Sequence, residues 1–333
     1  MSILTSLRVT VPLLSLVAAC GARTSIGDER IVHVADGGGV AVGDAGASLP
    51  AVLFGGVATG PLETFMGDTW TFGAGQWSPS TVQGPPARNQ AVMATLGGKA
   101  ILFGGTSENG ILADTWSWDG TAWSQLPIAG PPARVDSVMA PLGGELVLFG
   151  GSTLDGSATD LGDTWTFDGA TWRELHVAGP SIRSDSVMAP LNGLLVLFGG
   201  VGDTGDNGYV ADTWTFDGSA WTQLNVSGPS PRRDAVMAPL NGVLVLFGGS
   251  ISDGTLGSDT WTFDGSTWTE LSVVGPPGRT SAAMAAANGE LVLFGGLGSG
   301  GPLSDTWTWN GSAWSELPVT GPSARLRASM AVP

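Results

Sequence analysis

Asp185-Ser-Val-Met-Ala-Pro-Leu-Asn-Gly193, then Leu194-Leu-Val-Leu-Phe-Gly-Gly200, then Asp212-Thr-Trp-Thr-Phe216, Asp217-Gly218 and Ala220-Trp-Thr-Gln-Leu224 form the unit from which most of this chain is built. Its Phe-Gly-Gly recurs at Phe54, Phe103, Phe149, Phe198, Phe247 and Phe294, at intervals of 49, 46, 49, 49 and 47. Asp-Thr-Trp recurs with Trp70, Trp116, Trp165, Trp214, Trp261 and Trp307, and a second Trp stands seven residues beyond each, from Trp77 to Trp314. A period in this range means a propeller or a solenoid, in which each unit buries its apolar faces against its neighbours.

The turn chemistry decides between them. Asn192-Gly193, Asn241-Gly242, Asn288-Gly289, Gly97-Gly98 and Gly143-Gly144 tolerate positive φ at both positions, as a two-residue hairpin requires. Asp119-Gly120, Asp168-Gly169, Asp217-Gly218, Asp264-Gly265 and Asn310-Gly311 are read the same way one hairpin later. Two hairpins in series give a four-stranded meander, the blade of a β-propeller. The apolar run before each Gly-Gly predicts a strand buried on both faces between blades.

An apolar run ending in Gly-Gly, a variable loop, an aromatic third strand and a Trp in the fourth together resemble the kelch repeat. The resemblance covers residues 50–333, and the chain departs from it in using Phe or Trp where kelch units often place Tyr in the third strand. The expected fold is all-β, a six-bladed β-propeller of four-stranded kelch-type blades. Its closure follows from unmatched ends. Met93, Met139, Met188, Met237 and Met284 each precede a Phe-Gly-Gly by ten residues, Met330 has no successor, and Phe54 has no such Met upstream. Arg325–Val332 is therefore expected to supply the innermost strand of a shared first and last blade, leaving no open sheet edge.

Spacing also marks a working face. From Phe-Gly-Gly to Asp-Thr-Trp the offsets are 14, 11, 14, 14, 12 and 11, whereas Trp to Trp is always seven and the second Trp to the next Met always 16. All length variation falls in the loop between strands two and three, and insertions confined to one loop per repeat map to one face, often the binding face. The segments joining one blade to the next share that face. They carry Arg88, Arg134, Arg183, Arg232, Arg279 and Arg325, one per blade, with Arg233 and Arg327 in addition. The six are the ligand-binding candidates, since a ring of guanidinium groups grips a carboxylate or phosphate bidentately. The competing reading pairs them between blades with the six aspartates of Asp-Thr-Trp, which lie on the same face.

Composition narrows the chemistry. Of 333 residues, 53 are Gly and 14 are Trp, with 13 Lys or Arg against 29 Asp or Glu. A hydrophobic fraction of 42% argues against disorder. The net charge of −16 gives no general footprint for nucleic acid, so no nucleic-acid partner is expected. One Cys and two His leave no thiolate zinc cluster, so no metal and no cofactor are expected. Gly200-Val-Gly202-Asp-Thr-Gly205 and Gly296-Leu-Gly298-Ser-Gly-Gly301 satisfy Gly-x-Gly-x-x-Gly but open no helix. Asp203, Asp206 and Asn207, like Asp155 and Asp160, offer oxygen ligands without the spacing of a calcium loop. His33 lies in the N-terminal segment, His176 in an outer strand, and Tyr209 lacks the Cys and His partners of the copper oxidases that share this fold.

Arg8, the apolar run Val9–Ala19 and Cys20 read as an export signal, too short for a spanning helix. Leu16-Val17-Ala18-Ala19-Cys20 resembles a bacterial lipoprotein signal, which implies cleavage after residue 19, lipid on Cys20 and a place in the cell envelope, the outer membrane being favoured by Gly21 in a cell with two membranes. Residues 20–49 read as a flexible tether and 50–333 as the propeller. Three functions follow: a monomeric, lipid-anchored binding or scaffold module recognising a protein or glycan through the variable loops; a carbohydrate-active propeller such as the sialic acid mutarotases, with the Arg residues, Asp136, Asp185 and Asp234 as the only obvious acid/base supply; and a structural envelope protein without a small ligand.

Overall fold

The computed structural model describes residues 50–58, 64–153, 159–206 and 208–333. The expected signal (1–19), the tether with Cys20 and His33, and Asp155 and Asn207 lie outside the described residues. Within them the chain forms six four-stranded antiparallel sheets. Blade 2 shows the plan: Val92–Leu96 is innermost, then Lys99–Phe103, Thr115–Trp118 and Trp123–Leu126. Blades 3 to 6 repeat it from Val138, Val187, Val236 and Ala283. In blade 1, Ser329–Ala331 pairs with Ala51–Phe54 in the register Val52↔Ala331, Leu53↔Met330 and Phe54↔Ser329, followed outward by Thr69–Gly73 and Gln76–Ser80. The innermost strands touch in order around a closed circle, so the ends of the propeller meet in one shared sheet. The closing strand is shorter than Arg325–Val332, because residues 325–328 turn across the top, where Leu326 bridges Val57.

The second strand of each blade is buried on both faces, as its unbroken apolar run requires. Val52, Leu102, Leu148, Leu197, Leu246 and Leu293 all have no exposed surface. Between blades, the outer Trp of one blade packs on the Phe of the preceding blade's Phe-Gly-Gly, with ring centroids 5.2 Å apart for Phe103–Trp172 and 5.1 Å for Phe198–Trp268. Its indole N–H donates to the Thr of the preceding blade's Asp-Thr-Trp, Trp172 to Thr115 at 3.0 Å and Trp77 to Thr306 at 2.9 Å. Burying such a ring contributes about 1.5–3 kcal/mol, and the aromatic pair about 0.5–1.5 more. Gly130 of Gly-Pro lies flat against Trp172, where a Cβ would come within 2.6 Å of the indole.

The first hairpin of blades 2 to 6 turns as its sequence predicts, with both Asn192 (φ 51°) and Gly193 (φ 79°) in the left-handed region in blade 4. Blade 1 turns its second hairpin in the same way, through Ala74 (φ 50°) and Gly75 (φ 73°); the second hairpin of blades 2 to 6 does not. In blade 2 its strands end at Trp118 and resume at Trp123, so Asp119–Ala122 is a four-residue loop in which only Gly120 has positive φ. The cause is the Asp119 carboxylate, whose Oδ1 accepts the backbone N–H groups of Thr121 and Ala122 and builds an Asx turn.

Candidate functional site

The six predicted arginines are structural in their geometry. Each is at most 2% exposed. Arg134 places its two terminal nitrogens on Asp163 Oδ1 at 2.7 Å and Oδ2 at 2.8 Å, and also donates to the carbonyls of Gly150 at 3.0 Å and Pro132 at 3.1 Å. The same clamp joins Arg88 to Asp114, Arg183 to Asp212, Arg232 to Asp259, Arg279 to Asp305 and Arg325 to Asp68. In Arg183, Arg232 and Arg325 the remaining N–H reaches the hydroxyl of a Ser two residues upstream.

Two sequence expectations are corrected here. The ring offers no free guanidinium to a carboxylate or phosphate, because its donors are held by protein acceptors. The Arg–Asp pairs also lie within blades, since the Arg leads into the innermost strand and the Asp opens the third strand of the same sheet. What crosses between blades is the Arg backbone carbonyl, which accepts the N–H of the preceding blade's second Gly, Gly105 to Arg134 at 3.0 Å. Each clamp aspartate also accepts the indole N–H of its own Asp-Thr-Trp, Trp165 to Asp163 at 2.7 Å. Burial raises the pKa of Asp163, but the hydrogen bonds from Arg134, its charge and the Trp165 N–H outweigh burial and leave the carboxyl below its ordinary value.

Two residues after each clamp Arg, the chain reaches the mouth of the central channel. These positions are Gln90, Asp136, Asp185, Asp234, Ser281 and Arg327. All six adopt the left-handed conformation, with φ between 52° and 57°. For residues other than glycine this costs about 1–3 kcal/mol apiece unless the surroundings hold it. A circle of backbone hydrogen bonds does so. Asp136 donates to Gln90, Asp185 to Asp136, Asp234 to Asp185, Ser281 to Asp234, Arg327 to Ser281 and Gln90 to Arg327, at 2.9–3.3 Å. The described parts of the variable loops stand around this circle, several in short ribbons: Thr106–Ser107 pairs with Gly110–Ile111, and Val201–Asp206 pairs with Arg183–Ser184 of the clamp segment.

Inside the circle is a cavity of about 170 Å³, lined by the six ring residues and by Ala91, Ser137, Ser186, Ala235, Ala282 and Ala328, whose small side chains leave the space open. Asp136, Asp185 and Asp234 occupy one arc, on consecutive blades; Arg327 stands three blades from Asp185, across the mouth. Gln90 donates its amide N–H to Asp136 Oδ2. Arg233 approaches Asp185 at 3.8 Å and Asp234 at 3.9 Å from outside the circle and lies over the Tyr209 ring at 5.6 Å. Burial, and then the neighbouring Asp234 carboxylate, push Asp136 up to about 6. Burial, Asp234 and Asp136 push Asp185 well above the ordinary carboxylate value. Further along, the channel turns apolar and is lined by Met93, Met139, Met188, Met237, Met284 and Met330.

The other sequence candidates fall elsewhere. Gly202 and Gly298 lie in β-ribbons beside the clamp segments. His176 is exposed at 3.7 Å from Glu174. Tyr209 meets Ser250 at 3.3 Å. Among the described residues, no three His, Cys, Asp or Glu side chains are placed to hold a metal ion. Gln90 and Ser281 were not legible as site residues; the one available signal was that the position two after each Arg changes chemistry from blade to blade while the Arg itself recurs and the next position is always Ala or Ser.

The closed ring of six kelch-type sheets and its polar mouth define a kelch-repeat β-propeller. The KLHDC2/KLHL20/DRC7 Kelch-repeats domain family matches residues 117–271 and 218–333, and the chain belongs to that kelch-repeat family. No curated protein matches the chain. A domain of this family is a protein-binding or scaffold propeller.

Proposed function

We propose that this protein is a binding module of the bacterial cell envelope, lipid-anchored through Cys20, that engages a protein partner with its variable-loop crown and the polar mouth within it. One observation carries the reading. Among the described residues, four buried side-chain polar atoms lack a hydrogen-bond partner: Asn89 Oδ1, Asp185 Oδ1, Arg233 Nε and Arg327 Nε. All four belong to residues on or next to the mouth. Buried polar groups are normally paired, so such a cluster marks where a ligand completes the bonding. The anchor reading rests on the lipoprotein-like motif ending at Cys20. The test is photo-crosslinking in cells, with the reactive residue placed at Asn109 in the crown or at Ser219 in a hairpin on the opposite face. A discrete adduct from Asn109 alone supports the reading; adducts from both positions alike, or from neither, refute it.

A second reading, a carbohydrate-active propeller, is favoured by Asp136 and Asp185, neighbouring carboxyl groups with raised pKa values that could exchange a proton with a ligand. Anomeric exchange of acidic sugars by the purified protein, followed in time, tests it; a rate equal to background removes it.

A further inference from the structure

We propose that the channel mouth is a receptor for one primary alkylammonium group, held between the carboxylates of Asp136, Asp185 and Asp234. The inference rests on the partner-binding reading for its preferred ligand, the end of a lysine side chain; a free alkylamine offers the same chemistry.

The three carboxyl groups lie on one arc of a cavity and are less compensated than the clamp aspartates: Gln90 donates to Asp136, which also shares a hydrogen bond with Asp185, and Asp185 keeps one oxygen without a donor. In the clamps, each aspartate receives a bidentate guanidinium and an indole N–H. In the mouth, Arg233 stays at 3.8 and 3.9 Å from its aspartates, and Arg327 acts on Asp136 and Asp185 through its charge without a direct ion pair among the described residues. The Asp185 side chain is only 8% exposed and lines the cavity, yet its Oδ1 accepts no hydrogen bond. A buried carboxylate oxygen left without a donor is costly, and a cation with N–H groups supplies what is missing.

The geometry selects among cations. The described carboxylates do not converge as metal ligands do. Calcium needs oxygens at about 2.3–2.6 Å, whereas an ammonium nitrogen bonds at about 2.7–2.9 Å and so spans a wider cup. Its three N–H groups rotate freely and can meet one carboxylate on each of three blades. A guanidinium is planar and larger, and Arg327 already fills the opposite side of a cavity of about 170 Å³.

Asp136 and Asp185 have raised pKa values, so binding competes with protons. The charged and titratable groups around them are Asp234, Arg327, Arg233 and the Tyr209 hydroxyl. Affinity therefore rises between pH 5 and pH 8, with proton release.

The experiment is calorimetric titration of the full-length protein with n-butylammonium chloride, with n-butanol as the uncharged control. Saturable one-site binding is expected, tighter at pH 8 than at pH 5. Asp185→Asn, which suits the left-handed backbone, should weaken it at least tenfold. Asp168→Asn, in a hairpin on the far face, should leave it unchanged. Absence of saturable binding, an equal response to butanol, or full affinity in Asp185→Asn overturns the proposal. A lysine-containing peptide that binds tenfold more tightly than butylammonium identifies a protein lysine as the ligand; equal affinity identifies a free amine. Failure here would leave the Asn109 crosslinks untouched, and absence of those crosslinks would leave butylammonium binding untouched, so the two proposals fall separately.

Discussion

The Arg134–Asp163 clamp allows a quantitative test of what the six buried pairs do. Arg134 has no exposed side-chain surface and donates two hydrogen bonds to Asp163, one to Gly150 and one to Pro132. Arg134→Met leaves the Asp163 carboxylate facing a half-buried apolar gap, and Asp163→Asn turns an NH2 group toward a buried guanidinium. Breaking one side of a buried pair costs about 3–5 kcal/mol, because the partner charge is left uncompensated. The double variant removes both charges together, so it should cost clearly less than the sum of the singles. The resulting coupling energy is about 2–3 kcal/mol, near the upper end for directly contacting residues. Urea unfolding followed by tryptophan fluorescence measures all four proteins, and the corresponding cycle at Arg279–Asp305 should give a similar value. Strict additivity, or single variants costing under about 1 kcal/mol, would show that the pair is no more than a surface ion pair and would refute the clamp.

Deleting residues 325–333 removes the innermost strand of blade 1 together with its Arg325–Asp68 clamp; the melting temperature should fall steeply, and an unchanged value would refute closure through this strand. Trp172→Phe keeps the ring beside Phe103 but loses the N–H bond to Thr115, which should cost about 1–2 kcal/mol in urea unfolding. Gly105→Ala would bring a Cβ to 2.6 Å from the Asn89 carbonyl at a φ of +89°, and should cost more than about 2 kcal/mol by the same measurement. Asp136 and Asp185 have folded-state pKa values above those of the unfolded chain, so the folded state holds the extra proton and their contribution to stability declines as pH rises above the ordinary carboxylate range, for Asp136 through about 6. Asp185→Asn should flatten that decline and raise the melting temperature at pH 8; a steeper decline would contradict it. The clamp aspartates have depressed pKa values, so their contribution should persist down to the ordinary carboxylate range and disappear below it.

Much of this molecule is readable from its sequence because each blade repeats the same solution. Phe-Gly-Gly, Asp-Thr-Trp and the following Trp occur at fixed distances, and their packing is set by size and period alone. The face carrying the candidate site was marked for the same reason, as the one place where spacing varies. The arginines misled because periodicity shows that a residue is needed in every blade without showing where its side chain points. A residue needed identically six times is one the scaffold uses, and the Gly150 and Pro132 carbonyls that take up the Arg134 donors have no signature in the sequence. Gln90 and Ser281 escaped for the opposite reason: they share a backbone conformation with Asp136, Asp185 and Asp234 and nothing else. The Asp-Gly turns were misread because a carboxylate can substitute for a backbone acceptor, which dipeptide preferences do not separate.

The circle at the mouth separates two properties that most binding sites entangle. Its six positions are held by main-chain bonds between blades, so every one offers a side chain in the same left-handed geometry whatever residue stands there. The fold thus behaves as a round socket with six interchangeable pins, at present Gln, three Asp, Ser and Arg. Charge can be redistributed pin by pin, including by Asn and Gly, which tolerate this backbone best, without altering the radius of the ring or the packing of any blade. A new specificity in this propeller would need no new loop, only a different sequence of letters around the circle.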